Sequence, residues 1–140
     1  MVIGAIFAGG IGSRMGSADM PKQYLQLGSK PIIVHTIEKF VVNPGIDRII
    51  VLCPKAWIAH TKDLVKKYLG EAIAEKINVV EGGSTRNGTL ENALKFINEN
   101  FAIDDDSVIV THDAVRPFVT HRIIDENIEA AKKYGACDTV

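Results

Sequence analysis

The chain has 140 residues, enough for one domain that buries roughly two thirds of its unfolded surface. Hydrophobic residues are 46% and charged residues 24%, the profile of an ordinary globular protein. A net charge of −1 excludes a global basic field for nucleic acid, no apolar run reaches bilayer-spanning length, and MVIGAIFAGG shows neither a basic leader nor a cleavage pattern. A cytoplasmic protein with no nucleic-acid and no membrane partner is therefore expected.

In chain order, residues 2–7 (VIGAIF) read as a strand. Residues 31–42 put Ile33, Ile37, Phe40 and Val41 on one helical face. Residues 48–53 (RIIVLC) are a continuous apolar run, as in a strand covered on both faces, and Pro54 ends it. Residues 56–69 read as an amphipathic helix and 77–80 as a short strand. Residues 85–98 carry Leu90, Ala93, Leu94 and Ile97 at helical spacing. Residues 107–111 (SVIVT) are a further strand. Residues 121–134 carry Ile124, Ile128 and Ala131 along a helix that Gly135 would stop. Cys137, Asp138, Thr139 and Val140 look like the start of one more strand. Cys53 and Cys137 stand apart in apolar segments and read as buried reduced thiols, with no zinc-type spacing.

This alternation implies an α/β fold, Rossmann-like, with a mostly parallel sheet and helices on both faces. A chain that stops inside an apolar pattern is expected to be the N-terminal portion of a longer one. Residues 1–140 are read as a single nucleotide-binding domain lacking its C-terminal part. In such sheets ligands sit beyond the carboxyl ends of the strands. That rule selects three segments.

The first is FAGGIGSRMGSADMPKQY, from Phe7 to Tyr24, with four glycines, one arginine and one lysine. Gly9, Gly10 and Gly12 let backbone N–H groups approach an anion, while Arg14 offers a planar fork and Lys22 a mobile charge. The spacing matches neither a Walker A loop nor the dinucleotide fingerprint. The plainer alternative is a surface loop with solvated basic residues. The second segment is GGSTRNGT, from Gly82 to Thr89. Ser84 or Thr85 could cap the helix that follows, which alone would account for it. Arg86 opposes the helix dipole in the first turn, and a nearby anion would offset that cost. The third is HDAVRP, from His112 to Pro117. Asp113, just past a strand end, suits Mg²⁺, which takes one or two carboxylates beside phosphate oxygens. The alternative is an Asp113–Arg116 ion pair closing a turn. His112 reads as structural, and His35, His60 and His121 carry no role. Asp104, Asp105 and Asp106 lie at the wrong end of their strand and read as a solvated turn.

Together AGGIGSRMG with PKQY, GGSTRNGTLENAL and HDAVRPF, in this order over the whole chain, resemble the cytidylyltransferases that join CMP to a sugar-alcohol phosphate. Relatives of this kind belong to fold families of the nucleotide-diphospho-sugar transferase type. Two branches are close: ribitol-5-phosphate and methylerythritol-phosphate cytidylyltransferases. HDAVRPF, PIIVHTIEKFV and CDTV look more like the ribitol branch, which makes CDP-ribitol for teichoic acid. The resemblance implies CTP as nucleotide, a polyol phosphate (D-ribitol 5-phosphate) as acceptor, Mg²⁺ as cofactor, and a homodimer in the full-length form. It implies that Phe7, Ala8, Gly9, Gly10, Gly12 and Ser13 wrap CTP, and that Arg14 and Lys22 are catalytic, stabilising charge at the reacting phosphates. It also implies that Gly82, Gly83, Ser84, Thr85, Arg86, Asn87, Gly88 and Thr89 hold cytosine and ribose, with Thr89 replacing the usual Ser, and that Asp113 binds the metal. Two rivals stay open: a sugar-nucleotide glycosyltransferase, and a nucleotide-binding module without activity.

Overall fold

The computed structural model describes residues 1–9 and 20–136. A four-stranded parallel sheet has the order β5-β4-β1-β6, formed by β1 (Val2–Phe7), β4 (Arg48–Cys53), β5 (Ile77–Glu81) and β6 (Val108–Asp113). A small antiparallel pair, β2 (Gln26–Leu27) with β3 (Lys30–Pro31), stands apart from it. Gly28, with φ of 66°, makes its tight turn, a backbone state that glycine adopts without steric cost. The helices are α1 (Ile32–Val41), α2 (Ile58–Leu69), α3 (Glu71–Ala74), α4 (Arg86–Asn100) and α5 (His121–Tyr134).

Period-two alternation splits each strand between two apolar layers. On one face Val2, Ile6, Ile49, Val51, Ile77, Val79 and Val108 pack against α1, α2 and α5 through Ile33, Ile37, Phe40, Leu64, Val65, Ile124 and Ile128. On the other face Ile3, Ala5, Phe7, Ile50 and Leu52 meet Ala93 and Ile97 of α4. The α1 layer comes so close to β1 that Gly4 has no room for a methyl group. A Cβ there would stand 2.7 Å from the Phe40 ring.

The strand order explains where a site belongs. From β1 the chain steps outward to β4 and β5, then returns through α4 to β6 on the far side of β1. The order therefore reverses between β1 and β6, and Phe7 pairs in register with Asp113 at their carboxyl ends. A crevice at such a reversal is the ligand position of open α/β sheets.

Most expected elements stand where the pattern put them, with four corrections. β6 runs to Asp113, so His112 and Asp113 belong to the strand, because β1 continues to hydrogen-bond it. Residues 55–57 form a 3₁₀ turn before α2, as Pro54 delays the regular helix. In α4 Leu94 is 44% exposed; the buried line is Thr89, Ala93 and Ile97, which follow i, i+4, i+8. The β2–β3 hairpin and α3 carried no periodic signal, being too short for one. The strand expected at residues 137–140, with Cys137, lies outside the described residues. Cys53 is buried and free, and burial raises its thiol pKa.

Candidate nucleotide site

At the carboxyl edge the three selected segments meet. A hollow of about 320 Å³ is lined by Phe7, Ala8, Gly9, Gln23, Gly83, Ser84, Thr85, Arg86, Thr89, Asp113 and Val115. That is near the small end of ligand pockets. β1 supplies its floor, the β5–α4 loop one wall, and the end of β6 the other.

The β5–α4 wall is held by backbone proximity that only glycine permits. A Cβ on Gly83 would fall 2.4 Å from the Gly88 carbonyl carbon and 2.7 Å from the Thr89 nitrogen, backbone atoms that cannot step aside. Thr85 caps α4, its hydroxyl accepting from the Gly88 N–H at 2.9 Å. Ser84 does not take that part. Buried Thr89 accepts from the Gly83 N–H at 3.1 Å and donates back to the Thr85 carbonyl at 3.0 Å. The same hydroxyl lies 3.4 Å from the Cβ positions of both Gly9 and Gly82, so one threonine touches the first and second segments together.

The charges gather at Asp113. Arg86 Nη1 donates to its Oδ1 at 2.6 Å, and Arg116 Nε to its Oδ2 at 3.4 Å. The turn-closing pair with Arg116 is therefore present, and Arg86 joins it from 27 residues away in sequence. The anion that offsets an arginine in the first turn of α4 is Asp113 itself. The Arg86 guanidinium also lies over the Phe7 ring, 5.1 Å from its centroid. Partial burial is the largest single influence on Asp113 and raises its pKa. The hydrogen bonds and charges of Arg86 and Arg116 together outweigh it and hold the carboxyl below its ordinary range. Asp113 is thus an ionised oxygen donor, as a hard divalent cation requires, with its remaining ligands left to phosphate and water. Both arginine side chains are more than 60% exposed, so each pair is worth only about 0–1 kcal/mol and can exchange for another partner. Among the described residues no cluster of three His, Cys, Asp or Glu side chains forms a ready-made metal cage.

Lys22 opens a 3₁₀ turn, Lys22–Tyr24, and is exposed. It does not line the hollow; its neighbour Gln23 does. Gln23 is only 3% exposed, and its Nε2 donates to the Ala8 carbonyl at 2.6 Å. Sequence reasoning passed over Gln23, although a glutamine between Lys22 and an aromatic residue in PKQY was visible. Gly82, Asn87 and Gly88 are not among the lining residues either: Gly82 and Gly88 pack behind the wall, and Asn87 is exposed. Gly10, Gly12, Ser13 and Arg14 lie outside the described residues.

The other side chains considered have local roles. His112 Nε2 pairs with the Arg116 carbonyl at 2.9 Å and its ring tilts against Phe40. Asp104 accepts from the Ser107 hydroxyl and the Asp106 N–H, closing a solvent-facing turn at the opposite end of β6. A larger groove of about 1230 Å³ follows β6 and α5 and shares Arg86 and Asp113 with the hollow. It arises because β6 is a sheet edge with no strand beyond it among the described residues.

Residues 2–140 match the model of the family described as 2-C-methyl-D-erythritol 4-phosphate cytidylyltransferase. The chain belongs to that family. Among similar solved structures, 4-diphosphocytidyl-2C-methyl-D-erythritol synthase from Anaerococcus prevotii DSM 20548 is 29% identical with a TM-score of 0.69, covering 94% of this chain and 51% of that one. A second 4-diphosphocytidyl-2C-methyl-D-erythritol synthase is 24% identical, with a TM-score of 0.73 and coverage of 93% and 53%. The bifunctional IspDF from Campylobacter jejuni is 23% identical, with a TM-score of 0.69 and coverage of 94% and 31%. These last two likenesses concern the fold. The chain spans about half the length of the first two structures it resembles. The α/β nucleotidyltransferase fold expected from sequence is the one these structures share. The ribitol branch, toward which HDAVRPF pointed, is not the branch that the family model names. Among the described residues no helix is long and apolar enough to cross a membrane.

Proposed function

We propose that the complete protein transfers CMP from CTP to a polyol phosphate and releases pyrophosphate, with 2-C-methyl-D-erythritol 4-phosphate as acceptor. The observation that carries this reading is the convergence of Phe7, Gly9, Gly83, Arg86, Thr89 and Asp113 on one hollow at the β1/β6 reversal. The family match supports the nucleotide and the acceptor class.

In this reading an oxygen of the acceptor phosphate bonds to the α-phosphorus of CTP. The bond from that phosphorus to the bridging oxygen breaks, and its electron pair leaves with pyrophosphate. The attacking phosphate is already a nucleophile, so no serine or histidine has to activate it. The obstacle is charge: two unit anions about 4 Å apart repel by about 4 kcal/mol at an effective dielectric near 20. Prepositioned cations remove that cost and stabilise charge that builds up in the transition state. Arg14 and Lys22 take this part. Arg86 and Arg116, now resting on Asp113, add two exchangeable guanidiniums beside the hollow. Asp113 would hold a divalent ion, Mg²⁺, which would supply charge neutralisation at the phosphates. Gly9 and the turn from Gly83 to Arg86 bring backbone against base and ribose.

Pyrophosphate release tests the reading, measured on the complete protein with CTP and each acceptor in turn. Turnover with 2-C-methyl-D-erythritol 4-phosphate is expected. Turnover with ribitol 5-phosphate alone would move the chain to the second branch, which the wording of HDAVRPF and PIIVHTIEKFV favours. CTP binding without turnover on either would leave a binding module. Lys22→Ala is expected to lower kcat at least about tenfold, or ~1.4 kcal/mol. A cytoplasmic homodimer belongs to the same proposal, and sedimentation measures the dimer.

A further inference from the structure

The described residues around Lys22 form a turn with two buried side chains and one exposed. In a 3₁₀ turn successive side chains are about 120° apart. Gln23 and Tyr24 both point inward, each 3% exposed, and Lys22 is left outside. Tyr24 is anchored on α2 and the 3₁₀ turn before it: its ring stacks on Trp57 of that turn with centroids 4.6 Å apart, and its hydroxyl shares a 2.7 Å hydrogen bond with Thr61 of α2. Gln23 is anchored on the sheet. Its amide donates at 2.6 Å to the carbonyl of Ala8, the residue at which β1 gives way to the glycine-rich loop. The turn is thus fixed at two points, one just after β1 and one at α2.

We propose that Gln23 is a positioning residue: its amide ties the turn that bears Lys22 to the end of β1, and so sets where the lysine stands relative to the nucleotide hollow. This rests on the nucleotidyl-transfer reading above. Two physical reasons favour an amide donor here. Ala8 is among the residues that line the hollow, and its carbonyl without a donor would leave an uncompensated negative dipole end close to an incoming phosphate. A buried acceptor without a donor also carries a desolvation cost. Asparagine is one methylene shorter, ionised glutamate has no donor, and lysine would bury a charge. Glutamine at this position meets the reach, the donor and the neutrality together.

A double-mutant cycle with Lys22 tests the proposal in the complete protein. Gln23→Met, close in volume but without a donor, is expected to lower kcat for pyrophosphate release about tenfold in a protein that still folds, with a melting temperature lowered by the unpaired Ala8 carbonyl. On the Lys22→Ala background the same substitution is expected to cost less than about twofold, since a residue acting through Lys22 has nothing left to position. A full tenfold cost that persists without Lys22, or a Gln23→Met enzyme within about twofold of wild type, overturns the proposal. Should Gln23→Met fold poorly, Gln23→Ser admits water to the Ala8 carbonyl and is held to the same two outcomes. Wild-type protein silent with both acceptors overturns the nucleotidyl-transfer reading and this inference with it. Wild-type turnover with an additive cycle overturns this inference alone.

Discussion

Two polar surfaces at opposite ends of the sheet are built in different ways. In the turn before β6 partners are close in sequence: Asp104 is met by Ser107 and Asp106. At the hollow beyond the carboxyl ends of the strands Arg86 reaches Asp113 and Gln23 reaches Ala8, 27 and 15 residues apart, while Thr89 meets Gly83 across the β5–α4 turn. Local turns are self-sufficient and tolerate change. A surface assembled from three distant loops exists only while the fold holds them, and its exposed charges remain free to exchange partners.

The sharpest way to break the contrast is Gly83→Ala. The added methyl meets immovable backbone at 2.4 Å, so a loss of about 3 kcal/mol in urea unfolding is expected, with the hollow distorted. A variant as stable as wild type would mean the β5–α4 wall is loose. Thr89→Val keeps the volume but leaves the Gly83 N–H and Thr85 carbonyl without their shared hydroxyl. About 1–3 kcal/mol should be lost by the same measurement.

Asp113→Asn sharpens the comparison through pH. The arginines hold the Asp113 carboxyl below its ordinary value of 3.8, so their stabilisation is fully present above that value. It is lost as pH falls through the lower value kept in the fold. Wild type should exceed Asp113→Asn by no more than about 1 kcal/mol at neutral pH, because the arginines are largely exposed. The gap should close in acid below pH 3.8. A gap that widens there would contradict the pairing. In the turn before β6 Ser107→Ala should stay within about 0.5 kcal/mol, as the Asp104 turn faces water. A larger loss would erase the difference between that turn and the hollow.

The line from Val2 to Phe7, the run Arg48–Cys53 and the helix from His121 to Tyr134 were legible because burial on a strand or a helix imposes a fixed period on apolar residues. The three loops stood out because glycines and charged residues follow buried strands there, and Phe7, Gly83 and Asp113, one from each, line one hollow. Leu94 was misread because helical spacing gives a stripe but not its centre, which depends on how α4 lies across β1 and β4. Asp113 was placed just past its strand, since no local pattern reports that β1 keeps pairing as far as Phe7.

The sequence by itself determined the element types and the α/β class and singled out three segments beyond the strand ends, because these follow from periodicity and residue chemistry. Only the tertiary structure decided that Asp113 rests between Arg86 and Arg116, that Gln23 reaches Ala8, and that Gly83 and Gly88 touch backbone to backbone. Each of those contacts joins residues whose separation the chain alone leaves open, and the strand order of the sheet closes it.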